Sequence, residues 1–170
     1  MSMMERSSAI IYVMGVSGCG KTTIGSELAK RMAVPFFDGD AFHPQANKEK
    51  MHAGIPLTDG DRWQWLDALH SLALTEQDKD GAVIACSALR AVYRAKLSDE
   101  IAHVQWIWLD GSFELIHQRM LARKDHFMSP ELLCSQFATL EPPGDALRVD
   151  ISQSPEAIVN EILTHLQPKN

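Results

Sequence analysis

The sequence predicts an α/β fold built on a mostly parallel sheet, and two observations carry that reading. Five short apolar runs alternate along the chain with segments of helical periodicity. The first run leads straight into a glycine-rich loop, which opens an amphipathic helix. With 170 residues, the chain has material for a single domain with a full core and too little for two independent catalytic ones.

Taken in order, residues 10–14 read Ile-Ile-Tyr-Val-Met and predict the first strand. Ile24, Leu28 and Met32 then recur at helical spacing. Residues 35–37 give a second strand, and Trp65, Leu69 and Leu72 mark the next clear helix. Strands at 82–85, 104–109 and 147–151 follow, and Ile158, Ile162 and Leu166 form the apolar face of a last helix. These faces are expected to cover the sheet. Residues 38–61 differ, being rich in Gly, Pro, His and Asp with weak periodicity, and read as an acceptor-binding segment mounted on the core. Residues 1–8 are expected to be a disordered N-terminus; they hold no apolar stretch of the kind that directs secretion.

The 16 Lys and Arg against 22 Asp and Glu leave a net charge of −6, which removes the electrostatic footprint of a nucleic-acid-binding protein. No apolar run approaches the roughly 20 residues that cross a bilayer. Cysteines at 19, 86 and 134 are odd in number and lack metal-ligand spacing, as suits a reducing cytoplasm. The expectation is a cytoplasmic protein with neither nucleic acid nor membrane as partner.

Gly15, Val16, Ser17, Gly18, Cys19, Gly20, Lys21 and Thr22 match G-x-x-x-x-G-K-[ST] in the strand-loop-helix setting that the motif requires, with Thr23 next in the helix. Such a loop turns successive backbone N–H groups inward, so that loop and helix N-terminus surround phosphate oxygens with donors and positive dipole. Lys21 reaches the β- and γ-phosphates of a nucleotide, and the Thr22 hydroxyl can ligate Mg²⁺. Cys19 is read as a passive residue facing solvent. The guanine signature Asn-Lys-x-Asp is absent, since Asn47-Lys48-Glu49-Lys50 lacks its Asp. Asp110, after the fourth strand, is either a metal-holding carboxylate or, together with Ser112, a helix cap; the capping role is preferred.

Asp38 and Asp40 stand two residues apart at the carboxyl end of the second strand, where open α/β sheets bind ligands. Asp40 is the candidate base for an acceptor hydroxyl, with Asp38 supporting the metal; the competing reading is an ordinary Asp-Gly turn. Pro44 predicts the first position of a short helix carrying His43, Asn47 and Lys50 along one polar face, suited to a hydroxylated anion or simply solvated. Arg90 with Arg94, and Arg119 with Arg123, are like-charged pairs four residues apart, which calls for an anion or nearby carboxylates. The second pair is assigned to the transferring phosphate. Residues 123–130 read as a lid that closes over it.

These residues together resemble the gluconokinase family, small kinases of the P-loop type related to shikimate and adenylate kinases. The resemblance spans roughly residues 10–165, about the whole chain. It rests on Gly15 to Thr22, Asp38-Gly39-Asp40, His43-Pro44, Asn47, Lys50-Met51, Asp59, Asp61-Arg62 and Trp65-Leu66. It continues through Ser87, Arg90, Tyr93-Arg94, His126-Phe127-Met128, Gln136-Phe137, Leu140-Glu141 and Val149-Asp150. It implies a P-loop kinase fold, a five-stranded parallel sheet flanked by helices, with lid and substrate-binding segments. It also implies transfer of phosphate from ATP to D-gluconate with Mg²⁺, in a homodimer. On this reading Lys21, Asp40 and Arg123 are catalytic, and Arg119 joins the loop in binding nucleotide. Asp40, His43, Lys50, Arg62, Arg90, Arg94 and His126 contact the acceptor, and Thr22 with Asp38 serves the metal. The rivals are a shikimate or nucleoside monophosphate kinase on the same core and a non-catalytic, nucleotide-dependent regulator.

Overall fold

A computed structural model describes residues 8–122 and 130–166. Five strands, β1 (Ile10–Met14), β2 (Phe36–Asp38), β3 (Ala82–Ala85), β4 (Val104–Asp110) and β5 (Leu147–Asp150), lie within a residue or so of their predicted places. The helices among the described residues are α1 (Lys21–Met32), α2 (Gln45–His52), α3 (Asp59–Gln77), α4 (Ala91–Ser98), α5 (Phe113–Ala122), α6 (Pro130–Thr139) and α7 (Pro155–Leu166). A single 3₁₀ turn, Gly39–Phe42, follows β2. The expected N-terminal segment 1–8 and lid 123–130 lie outside the described residues except for Ser8 and Pro130.

The strands form one parallel sheet in the order β2-β3-β1-β4-β5. Parallel strands need crossover connections, and helices returning on both faces bury both sides of the sheet. β1 shows the result at single-residue resolution. Ile11 and Val13 enter one apolar cluster with Ile24, Leu28, Ile116 and Ile158. Ile10, Tyr12 and Met14 enter the opposite cluster with Trp65, Leu69, Tyr93 and Leu97. All five β1 side chains are buried, so an unbroken apolar run is what this position demands. The Tyr12 hydroxyl, placed in that interior, donates to the Leu97 carbonyl at 2.8 Å, and burial raises its pKa.

Register aligns the carboxyl ends of the strands along one edge. Val13 and Asp38 both pair with Ala85, and Met14 pairs with Trp108. The loops leaving β1, β2 and β3 therefore emerge side by side. At this edge the chain reverses direction across the sheet, since β1 has β3 on one side and β4 on the other. Ser112, rather than Asp110, caps α5: its Oγ accepts from the Leu115 N–H at 3.1 Å. Asp110 instead pairs with Arg148 at 2.6 Å.

Candidate active site

The phosphate-binding loop occupies the end of β1. Gly20 caps α1 with φ of 101°, a left-handed backbone that favours glycine and aims the first helical N–H groups back into the loop. Lys21 Nζ lies 3.0 Å from the carbonyls of both Gly15 and Val16. Thr22 Oγ1 donates to Asp38 Oδ2 at 3.4 Å, and Asp38 Oδ1 accepts from the Asp40 N–H at 3.0 Å. One carboxylate thus joins the loop to the turn that carries Asp40. A cavity of about 80 Å³ opens here between Ser17, Lys21, Thr22, Asp38 and Asp40.

A second cavity, of about 130 Å³, continues from it. Ser17, Lys21 and Asp40 line both, so the phosphate cradle and the second cavity share a boundary. His43, Met51, Leu57, Arg62, Ser87 and Gln136 form much of the remaining wall. A third cavity, about 270 Å³, lies on the other side of the loop between Gly18, Thr23, Arg119, Gln153 and Pro155. Arg119 is fixed there by donating to the Ile151 carbonyl at 2.7 Å.

Packing holds the Asp40 turn in place. Trp65 is 1% exposed, and its indole N–H donates to the Gly39 carbonyl at 2.7 Å. Its ring stacks on His43 with centroids 4.4 Å apart. Burial, then the charges of Arg62 and Lys48, push the His43 pKa down to about 4, so this histidine is neutral at physiological pH.

The predicted cations divide. Arg62 lines the second cavity, with one guanidinium N–H given to the Tyr93 hydroxyl at 3.1 Å. Lys50 is drawn away, its ammonium 2.8 Å from Asp61 Oδ2. Asp61 closes a capping box with Thr58 at the start of α3, and its pKa falls to about 2 because Lys50 and the Thr58 N–H bond the ionised form. Arg94 departs most from an open, unpartnered cation. It is 7% exposed and donates to the carbonyls of Ala88 and Glu141, each at 2.8 Å, and so holds the loop after β3. Arg90 is not inside the helix with Arg94 but caps it. It pairs with Asp59 at 2.6 Å and Glu141 at 3.7 Å, and the bonds from Tyr93 and Arg90 lower the pKa of Asp59. Arg123 and His126 lie outside the described residues.

Two further expectations change. Pro44 caps α2 rather than starting it, and His43 and Asn47 are turned inward at 7% and 4% exposure, while Lys50 stays partly exposed. Cys19 is buried, not facing solvent, at 2% exposure. Burial raises its thiol pKa against the pull of Lys21, which makes it inert.

Gln136 of α6 carried no assigned role. Its Oε1 accepts from the Ser17 N–H at 2.7 Å, and its Nε2 donates to Ser17 Oγ at 3.1 Å. This two-point bond ties the helix after residues 123–129 to the phosphate loop. Glu141 was likewise unassigned, though its Oε1 satisfies the Ala91 N–H at 2.6 Å at the start of α4. The Thr58-x-x-Asp61 spacing before an apolar run was a legible capping signal; nothing local announces Gln136. Among the described residues no group of three or more His, Cys, Asp and Glu could hold a metal. Thr22 and Asp38 nonetheless place two hard oxygen donors together, the partial shell that suits an ion completed by phosphate and water.

The shikimate kinase family model matches residues 17–167. The chain is 44% identical over 165 residues to a gluconokinase of Gluconobacter oxydans, covering 94% of this chain and 92% of that one. It is 42% identical over 164 residues to the thermoresistant gluconokinase of Escherichia coli, covering 94% of each. A crystal structure of a gluconokinase from Sinorhizobium meliloti superposes with a TM-score of 0.86 at 40% identity, over 94% of this chain and 91% of that one.

Proposed function

Because this chain belongs to the gluconokinase family, we propose that it transfers the γ-phosphoryl group of ATP to the primary hydroxyl of D-gluconate, giving ADP and 6-phospho-D-gluconate. The observation that carries the reading is the boundary shared by the two cavities: Ser17, Lys21 and Asp40 line both the phosphate cradle and the acceptor space. A phosphoryl group held by the loop and an alcohol held beside it are then neighbours, which is what in-line displacement needs.

The loop amides and Lys21 hold the triphosphate tail, and Lys21 meets the charge that grows on the transferring group. The alcohol oxygen attacks phosphorus, the bond to the leaving ADP oxygen breaks, and the hydroxyl proton passes to the Asp40 carboxylate. Arg62, a cation on the cavity wall besides Lys21, takes the carboxylate end of the acceptor. Thr22 and Asp38 would hold Mg²⁺, which when bound neutralises phosphate charge. The nucleoside sits toward Arg119 and Gln153, beyond the loop. Arg123 and the segment 123–130 complete the proposal as catalytic cation and lid. Cytoplasmic residence and a homodimer belong to the same reading; the three free cysteines support the first, and light scattering measures the second. Among the described residues no helix is long and apolar enough to cross a membrane.

Coupled ADP release at fixed Mg·ATP tests the proposal. Titration with gluconate should saturate and drive turnover, while shikimate and nucleoside monophosphates should not. Equal turnover with any of those acceptors, or none with gluconate, overturns it.

A further inference from the structure

Asn47, on the second helix, is nearly sealed from solvent at 4% exposure, yet its side chain bonds His43, which lines the acceptor cavity. Its Nδ2 lies 2.7 Å from the Asp61 carbonyl oxygen and 3.1 Å from His43 Nδ1. A backbone carbonyl only accepts, so the atom facing it is the amide nitrogen and not Oδ1. The second hydrogen of that nitrogen points at His43 Nδ1, which must therefore offer a lone pair. A neutral imidazole carries a single N–H, so the proton of His43 resides on Nε2. Protonating Nδ1 as well would set two N–H groups against each other.

The rest of the ring is equally constrained. Trp65 lies over its face at 4.4 Å and 12°, and the Trp65 N–H is itself committed to Gly39. Arg62 of α3 and Lys48 of α2 act on the ring; Lys21 and Asp40 share its cavity wall, and Asp61 lends the Asn47 bond only its backbone carbonyl. Nε2 is the remaining polar atom of a ring that lines the acceptor cavity.

We propose that Asn47 is a positioning residue that locks His43 as an Nε2–H donor, and that this donor grips a hydroxyl oxygen of the polyhydroxy-acid acceptor. The second half rests on the gluconate reading; the first does not. Division of labour follows from it. Arg62 supplies charge for the carboxylate, Asp40 accepts the reacting proton, and His43 recognises a hydroxyl by giving a hydrogen bond without carrying charge. A histidine fixed in this way discriminates against acceptors lacking an oxygen at that place, because its own N–H would then be left unpaired.

Long-range proton–nitrogen correlation spectra of the histidine rings, recorded on the whole wild-type protein between about pH 5.5 and pH 8.5, read the tautomer directly. The expected pattern for His43 is neutral with the proton on Nε2 throughout. An Nδ1–H pattern, or half-protonation near the ordinary histidine value of about 6.5, overturns the proposal. Asn47→Asp replaces the donor with an acceptor of nearly equal shape. It should move the His43 proton to Nδ1 and raise KM for gluconate about tenfold, the worth of one hydrogen bond, with KM for Mg·ATP unchanged. A moved proton with unchanged gluconate KM leaves the tautomer lock standing and refutes the hydroxyl grip; an unmoved proton refutes the lock. If Asn47→Asp fails to fold, His43→Gln, which restores an amide donor, should keep a lower gluconate KM than His43→Met; equal values overturn the donor role. Failure of gluconate as substrate with the Nε2–H pattern intact refutes the hydroxyl-grip half and the activity reading together, and leaves the tautomer lock standing.

Discussion

Gly39→Ala isolates how tightly the Asp38–Asp40 turn must be placed. A Cβ at Gly39 would lie 2.4 Å from the Ala85 carbonyl oxygen and 3.0 Å from Cys86 Cβ. Carbon and carbonyl oxygen come no closer than about 3.3 Å even in favourable contacts, so the turn must move by about 0.9 Å. It cannot be β3 that yields, because β3 is hydrogen-bonded on both sides by β2 and β1. The displacement falls on Gly39 and on the carboxylates beside it, and stretches the 2.7 Å bond from Trp65 to the Gly39 carbonyl. A shift near 1 Å in a reacting group costs about 10² in rate, while overpacking of this size costs about 1–3 kcal/mol of stability. Steady-state kinetics with saturating gluconate and Mg·ATP should show kcat down about a hundredfold. Calorimetric titration of nucleotide should show affinity within about threefold, since the loop itself is untouched. A Gly39→Ala enzyme with near-normal kcat, or one losing nucleotide binding as much as turnover, refutes the argument.

Lys21→Ala should abolish transfer, whereas Asp40→Asn should lower kcat by about 10² or more with ATP binding preserved; equal losses of ATP affinity in the two variants contradict these roles. Arg94→Met strips the Ala88 and Glu141 carbonyls of their donors and should cost about 2–4 kcal/mol in urea unfolding with gluconate KM little altered. A raised KM at unchanged stability restores Arg94 as a ligand contact. Asp61 has a folded pKa of about 2 against an ordinary 3.8, so its contribution is whole above pH 3.8 and is lost as pH falls through about 2. The stability gap between wild type and Asp61→Asn should therefore narrow across that interval; a gap independent of pH there contradicts the assignment.

What was legible in the sequence divides by range. β1 and the loop after it are written in adjacent residues, an apolar run followed by G-x-x-x-x-G-K-T, and both stand where the pattern put them. The arginines failed for a definite reason. Spacing of four residues makes Arg90 and Arg94 neighbours only if both are helical, and Arg90 takes extended angles as the cap of α4. Its companion then turns to carbonyls and not to a shared anion. The pairing of Lys50 was not legible because its partner, Asp61, is eleven residues on across a loop, and Gln136 meets Ser17 across 119 residues. Periodicity predicts which face a side chain leaves its own helix by, not what waits there. His43 and Asn47 show the limit: their spacing was noticed, but only burial tells that they face one another and not water.

The order of the strands explains why the site has room for an acceptor at all. β2 ends in Asp38 and leads into the turn that carries Asp40, β1 leads into the loop, and β3 stands between them. Two strand spacings separate the turn from the loop, about 10 Å. Were β2 hydrogen-bonded directly to β1, the gap would be about 5 Å, enough for a side-chain contact but not for a phosphoryl group and an alcohol in line. Asp38 still reaches Thr22 by leaning across the edge, which leaves Asp40 to border the space beneath. That space is floored by the chain leaving β3, at Ser87 and Leu89. Arg94 and Glu141 secure that segment: the Glu141 N–H donates to the Leu89 carbonyl at 2.7 Å, and Arg94 bonds the Ala88 and Glu141 carbonyls. The inserted strand is thus a spacer set to the length of the reaction, and the buried Arg94 keeps its floor level.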